Sequence, residues 1–182
     1  MINFLLLESK VWAVGKNWIW RVPLLVYFAV LLFGYVTNPS YWSVLDWLNL
    51  PIHEMGHIVF GWCGQFIAVL GGSLLQCLAP IGGMVNFYYQ RDFFAIALCF
   101  GWLSTNFFSV ANYIADARTQ QLHLVSIGGG EPIHDWHYLL NTMGLLQFDI
   151  AIAVLVKLLA VAVMGICFVY GGWLIKYMVV KQ

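Results

Sequence analysis

The chain has 182 residues, of which 62% are hydrophobic and 9% are charged, and its formal net charge is zero. Soluble domains usually carry about 25% charged residues, so this composition excludes an ordinary soluble domain and indicates an integral membrane protein. The neutral balance argues against nucleic acid or an acidic partner as the main ligand. A chain of this length predicts one membrane-embedded domain over residues 1–182.

Five apolar segments approach the roughly 20 helical residues that span a bilayer. They cover residues 22–36, 44–62, 66–89, 93–115 and 148–177. These segments predict an all-α, polytopic membrane protein with about five transmembrane helices. Gly71-Gly72, Pro80 and Gly82-Gly83 interrupt the third segment, which makes it a candidate re-entrant segment at a watery cleft.

The positive residues outside these segments bear on the topology. With five full spans, lysines and arginines divide almost evenly between the two sides of the membrane. If the third segment is re-entrant, all of them except Arg118 fall on one side. The positive-inside rule therefore favours a re-entrant third segment or an extra insertion near His134.

The main polar connection covers residues 116–133 and contains the triple glycine 128–130. Pro132 suits the start of a helix, and a short amphipathic or partly inserted helix is predicted over residues 134–146. Four cysteines (Cys63, Cys77, Cys99 and Cys167) lie in or beside apolar segments without a C-x-x-C spacing. They are expected to be small buried apolar residues and not disulfides or zinc ligands.

The second segment carries the motif H-E-x-x-H, at His53-Glu54-Met55-Gly56-His57. Helical spacing places the two histidines one turn apart on one face, where both imidazoles can hold one zinc ion. Glu54 is offset by about 100° around the helix, so it can act on the metal-bound water instead of ligating. Ionisable groups are costly at membrane depth, so the motif indicates a functional site.

Catalytic zinc usually has three protein ligands, so a third must come from elsewhere in the chain. The richest candidate cluster is His134, Asp135 and His137, with Asp116 and Glu131 as further candidates. His134 and His137 share a helix face while Asp135 projects elsewhere, so all three are not expected to bind one ion.

Residues 132–140 read P-I-H-D-W-H-Y-L-L. Together with H-E-x-x-H, this order resembles the site-2-protease type of intramembrane metalloprotease, which takes its third ligand from an Asp at the start of a later helix. The resemblance implies that His53, His57 and Asp135 are zinc ligands and that Glu54 is the general base or acid. The chain departs from the family pattern by having His before the Asp and Trp after it, so His134 stays an alternative third ligand.

The resulting hypothesis is a zinc-dependent peptidase that hydrolyses membrane-embedded or membrane-proximal substrates, with Glu54 as the general base on zinc-bound water. A membrane hydrolase of a non-peptide substrate would use the same residues. A non-proteolytic metal-binding membrane protein, such as a protease-derived chaperone or assembly factor, would keep the ligands without needing Glu54. The expected surroundings are a lipid bilayer and a membrane-protein or peptide substrate, with the bacterial plasma membrane as the default location.

Several amides lie within the apolar segments. Asn106 and Asn112 could steady a scissile carbonyl or an oxyanion, but hydrogen bonding between helices is the favoured interpretation, also for Gln76. Gly71-Gly72 could admit an unwound substrate or permit close helix packing, and both interpretations stay open.

Overall fold

The computed structural model describes residues 2–38, 41–122 and 134–180, and within these ranges the chain is helical without strands. The all-α expectation is confirmed. Short 3₁₀ turns at Gly61–Cys63 and Leu146–Phe148 precede two of the helices. The seven α-helices are α1 (Ile2–Ala13), α2 (Arg21–Thr37), α3 (Val44–Phe60), α4 (Gln65–Tyr89), α5 (Phe93–Ala115), α6 (Asp135–Thr142) and α7 (Asp149–Val179).

Three stretches are long and apolar enough to cross a membrane, namely α4, α5 and residues Leu146–Val179. The apolar helix α2 has only 17 residues, as does α3. The prediction of about five spans is therefore not confirmed. The re-entrant third segment is not confirmed either, because α4 runs without interruption through its glycines and Pro80.

Helix α5 lies at the centre of the bundle, with α7 antiparallel to it. The Ser104 hydroxyl donates to the carbonyl of Ala160 over 2.7 Å. Near the end of α5, the Arg118 guanidinium pairs with Asp149, the first residue of α7, over 2.7 Å. Helix α4 is also antiparallel to α5, since only the short turn 90–92 joins them.

Helix α2 runs parallel to α5. The ring of Trp20, just before α2, lies 6.4 Å from Phe94 at the start of α5. Near the other end of α2, Tyr35 stacks on Phe108 with ring centroids 5.1 Å apart. The bundle therefore has two distinct ends. We call the "α1 end" the one where α2 and α5 begin, and the "α6 end" the one where α5 ends and α4 and α7 begin.

Helix α1 packs at the end that carries its name. Glu8 forms an ion pair of 2.7 Å with Arg91 in the turn between α4 and α5. The ammonium group of Lys10 lies 4.7 Å from the ring centre of Tyr177, near the end of α7. This helix is not among the segments predicted from the sequence.

Helix α3 does not cross the bundle. Near its start, the buried Asp46 carboxylate accepts hydrogen bonds from Tyr35 at the end of α2 and from Ser109 in the last third of α5. Near its end, His57 hydrogen-bonds to Ala68 in the first turn of α4. Both ends of α3 therefore lie in the half of the bundle nearer the α6 end. It is α3, and not α4, that does not extend from one end of the bundle to the other.

Two smaller expectations need correction. The predicted short helix at 134–146 is α6, which ends at Thr142 because Gly144 takes the left-handed backbone conformation with φ of 69°. All four cysteines are free, but only Cys99 and Cys167 are buried. Cys63 is exposed because it lies in the 3₁₀ turn between α3 and α4 at the surface of the bundle.

Candidate metal centre

The H-E-x-x-H motif lies on helix α3. A capping box at Ser43 and Asp46 fixes the helix start. The Asp46 carboxylate accepts hydrogen bonds from the Ser43 backbone N–H over 2.7 Å and from the Ser43 hydroxyl over 2.8 Å. The imidazole rings of His53 and His57 lie on one face of the helix, with centroids 4.9 Å apart. Both rings point toward α4 and α6.

Asp135, the first residue of α6, completes the cluster. Its Oδ2 atom lies 2.9 Å from Nε2 of His53 and 3.3 Å from Nε2 of His57. The three side chains each offer one ligand atom, and these atoms all lie within 4.8 Å of one another. This group could hold a metal ion, and two imidazoles with one carboxylate match a common ligand set of catalytic zinc.

The far side of each imidazole faces a carbonyl oxygen. The Nδ1 atom of His53 lies 3.1 Å from the Gln76 side-chain oxygen, and that of His57 lies 2.9 Å from the Ala68 carbonyl. A carbonyl only accepts hydrogen bonds, so each Nδ1 must carry the proton. With Nδ1 protonated, each Nε2 can offer its lone pair to a metal ion, the arrangement usual for metal-ligating histidines, or can share a proton with Asp135.

Gln76 is itself held in place by α5. Pro80 has no N–H, so the carbonyl of Gln76 one turn earlier loses its helical donor. The Asn106 side-chain NH₂ replaces that donor over 2.7 Å, and the Gln76 NH₂ reaches the Asn106 oxygen over 3.3 Å. This pairing keeps α4 helical through Pro80 and links α4 to α5, as the interhelical interpretation of Asn106 and Gln76 expected.

Gly72 leaves room beside the ligand atoms. A Cβ atom at this position would lie 2.6 Å from Nε2 of His53 and 2.7 Å from Nε2 of His57. On the facing helix α3, a Cβ at Gly56 would lie 2.2 Å from the backbone oxygen of Gly71. The missing side chains allow α3 to lie directly on α4, and they keep a space at the Nε2 atoms that a methyl group would fill. These distances support close helix packing at Gly71-Gly72.

Two contacts hold Asp135 at the site. Its backbone N–H donates to the Tyr113 hydroxyl over 3.0 Å. The indole N–H of the next residue, Trp136, donates to Ser73 on α4 over 3.1 Å. Sequence analysis missed Tyr113, because a tyrosine near the end of an apolar helix is also typical of a membrane interface.

The other third-ligand candidates do not join His53 and His57. His134 is the N-cap of α6, where its Nδ1 accepts from the His137 backbone N–H and its Nε2 donates to Asp116. Burial lowers the pKa of His134, in keeping with a neutral ring in this role. His137 donates through Nδ1 to the Ala117 carbonyl. Glu131 falls outside the residues that the structure describes.

Glu54 lies next to the cluster without joining it. Its side chain is half-buried, and its charge acts on both His57 and Tyr113. Among the described residues, its carboxylate makes no hydrogen bond. A carboxylate beside the ligand set and free of other partners can accept and return a proton.

Comparison of the chain with protein-family models, curated proteins and solved structures gave no match. The resemblance to the site-2-protease type stays a prediction that rests on the H-E-x-x-H motif and on the residues around Asp135.

Proposed function

We propose that this chain is a zinc-dependent intramembrane peptidase, as its resemblance to the site-2-protease type implies. One observation carries the proposal. The first residue of α6 meets two imidazoles from α3, although His53 and Asp135 are separated by 82 positions in the sequence. The Nε2 atoms of both imidazoles face this carboxylate, while their Nδ1 atoms are bound to carbonyl oxygens.

His53, His57 and Asp135 would hold the zinc ion. The ligand set is borderline in softness and contains no thiolate, which suits zinc better than a magnesium or calcium ion. When bound, zinc supplies Lewis-acid activation of water and of a carbonyl group. Three protein ligands would leave a fourth position for water, as in other catalytic zinc sites.

Glu54 is the general base of the proposed reaction. It accepts a proton from the attacking water and returns that proton to the amine that leaves when the peptide bond breaks. Its offset from the two histidines on α3 keeps it out of the ligand set, and its lack of hydrogen-bond partners among the described residues leaves both oxygens available.

The substrate is proposed to be a membrane-protein or peptide segment within or near the bilayer. Helices α4 and α5 are long and apolar enough to span a membrane. They supply Gln76, which orients His53, and Tyr113, which orients Asp135. A membrane helix must unwind locally before cleavage, since its carbonyls are otherwise hydrogen-bonded. The bacterial plasma membrane remains the proposed location.

The first test is metal content. Purification without chelators should give about one zinc per chain by inductively coupled plasma mass spectrometry, and His53→Ala and Asp135→Ala should each lose it. His137→Ala is the matched control and should retain zinc, because His137 lies outside the ligand cluster. Unmodified protein without stoichiometric zinc, or an Asp135→Ala variant that keeps it, would remove the proposed site.

The second test separates catalysis from metal binding. Glu54→Gln should keep zinc bound but lower turnover by a factor of about 10² or more, because the general base is lost. Enrichment of new protein N-termini from membranes of producing cells measures turnover without knowledge of the substrate. Glu8→Gln at the α1 end is the control and should leave the cleavage products unchanged.

The outcome of this second test also distinguishes the other classes of function. Cleavage products that persist in Glu54→Gln would contradict the peptidase mechanism. Zinc without cleavage products in either protein would favour a non-proteolytic metal-binding protein or a hydrolase of a non-peptide substrate.

A further inference from the structure

The described cations are concentrated at the α1 end of the bundle. Arg91 lies in the turn between α4 and α5, and Lys176 lies in the last turn of α7. The charged groups of Lys16 and Arg21 both lie 5.5 Å from the ring centre of Trp12 at the end of α1. Five described cations therefore share this end: Lys10, Lys16, Arg21, Arg91 and Lys176.

The opposite end is poor in cations. Arg118 lies at the α6 end, where it pairs with Asp149. Lys157 lies two turns inside α7 and thus within the apolar span. By the positive-inside rule, the end that is rich in lysine and arginine faces the cytoplasm. The α6 end then faces the other side of the membrane.

The metal cluster belongs to the α6 end. His57 hydrogen-bonds to the first turn of α4, and Asp135 begins α6 beside the end of α5. The accessibility of the ligands points the same way. The side chain of His57, the ligand nearest the start of α4, is 27% exposed, whereas those of His53 and Asp135 are 11% and 9% exposed.

From these observations we infer that the site opens to the non-cytoplasmic side of the membrane. Resting on the proposed peptidase function, this assigns the substrates to one class: membrane-inserted polypeptides whose scissile bond lies in the outer half of the bilayer. Helix α3 fits this assignment because it enters and leaves the bundle at the α6 end. Zinc would also reach the ligands from the outside.

Cysteine labelling tests the orientation. Gln90 and Gln121 are exposed residues that flank α5 at opposite ends, so Gln90→Cys and Gln121→Cys form a matched pair in a Cys63→Ser background. In intact spheroplasts, a membrane-impermeant maleimide should label Gln121→Cys, and should label Gln90→Cys only after permeabilisation. In the unmodified protein the same reagent should label the native Cys63. The reverse pattern, or equal labelling of both variants, would overturn the inference.

Chelation tests the access to the site itself. EDTA, which does not cross membranes, should remove zinc from the protein in right-side-out vesicles but not in inverted ones. Zinc loss restricted to inverted vesicles would overturn the inference even if the labelling agreed with it. A protein without zinc in both preparations would remove the proposed function and the substrate class, while the labelling would still report the orientation of α5.

Discussion

Gly72 is the residue of α4 that faces the Nε2 atoms of both His53 and His57. A Cβ atom there would meet the far ends of two imidazole rings and not the backbone. Side-chain ends move more easily than backbone, so a methyl group would shift the rings instead of unfolding the helix. We therefore expect a side chain at position 72 to displace the two imidazole rings more than it destabilises the fold.

We predict that Gly72→Ala lowers zinc affinity by a factor of about 10 or more, the range found when the supports of metal ligands are altered. Gly82→Ala is the matched control on the same helix, since a Cβ at Gly82 would have no atom within 4 Å. Competition with a zinc-binding dye in detergent micelles measures both. Equal affinities of the two variants would show that the space at Gly72 has no role in binding.

At the scale of elements, helices α3 and α4 pack closely because their backbones are in direct contact at Gly56 and Gly71. The oxygen of Gly71 occupies the place where a side chain at Gly56 would begin. Small residues at such interfaces let membrane helices gain van der Waals contact that larger residues prevent. The two histidines reach Gln76 and the Ala68 carbonyl only because the helices are this close.

Gly56→Ala should therefore lower the free energy of unfolding by about 1–3 kcal/mol, the usual cost of overpacking. Gly61→Ala, just past the end of α3, meets no atom within 4 Å and should leave stability nearly unchanged. Thermal unfolding of the detergent-solubilised protein gives the comparison. A midpoint for Gly56→Ala at or above that of Gly61→Ala would contradict the proposed packing.

At the scale of the whole molecule, hydropathy predicts the bounds of those helices whose ends depend only on the local sequence. Helix α5 occupies the predicted residues 93–115, because Asp92 caps its start and no proline or glycine pair breaks it. The path of α4 through Pro80 could not be predicted, since the donor that rescues it, Asn106, lies on another helix. The position of α3 depends on how the neighbouring helices α2, α4 and α5 are arranged in the bundle. A hydropathy pattern carries no information on that arrangement.

In the candidate site, too, the features set by local sequence are predictable and those set by tertiary contacts are not. The spacing within H-E-x-x-H predicted the shared face of His53 and His57, because an isolated helix already creates it. The sequence alone does not distinguish His134 from Asp135 as the third ligand, because the contact that engages His134, with Asp116 at the end of α5, is a tertiary one. The hydrogen bond from the Asp135 backbone N–H in α6 to the Tyr113 hydroxyl in α5 is likewise a tertiary contact.

The long separation between His53 and Asp135 has a consequence for biosynthesis. A ribosome exposes the α3 histidines well before α4, α5 and the start of α6, and the carboxylate arrives only when residue 135 is made. Until then the growing chain offers two imidazoles, too few for a three-ligand site. Under the proposed function, the metal centre would therefore form only after α4, α5 and the start of α6 have been made.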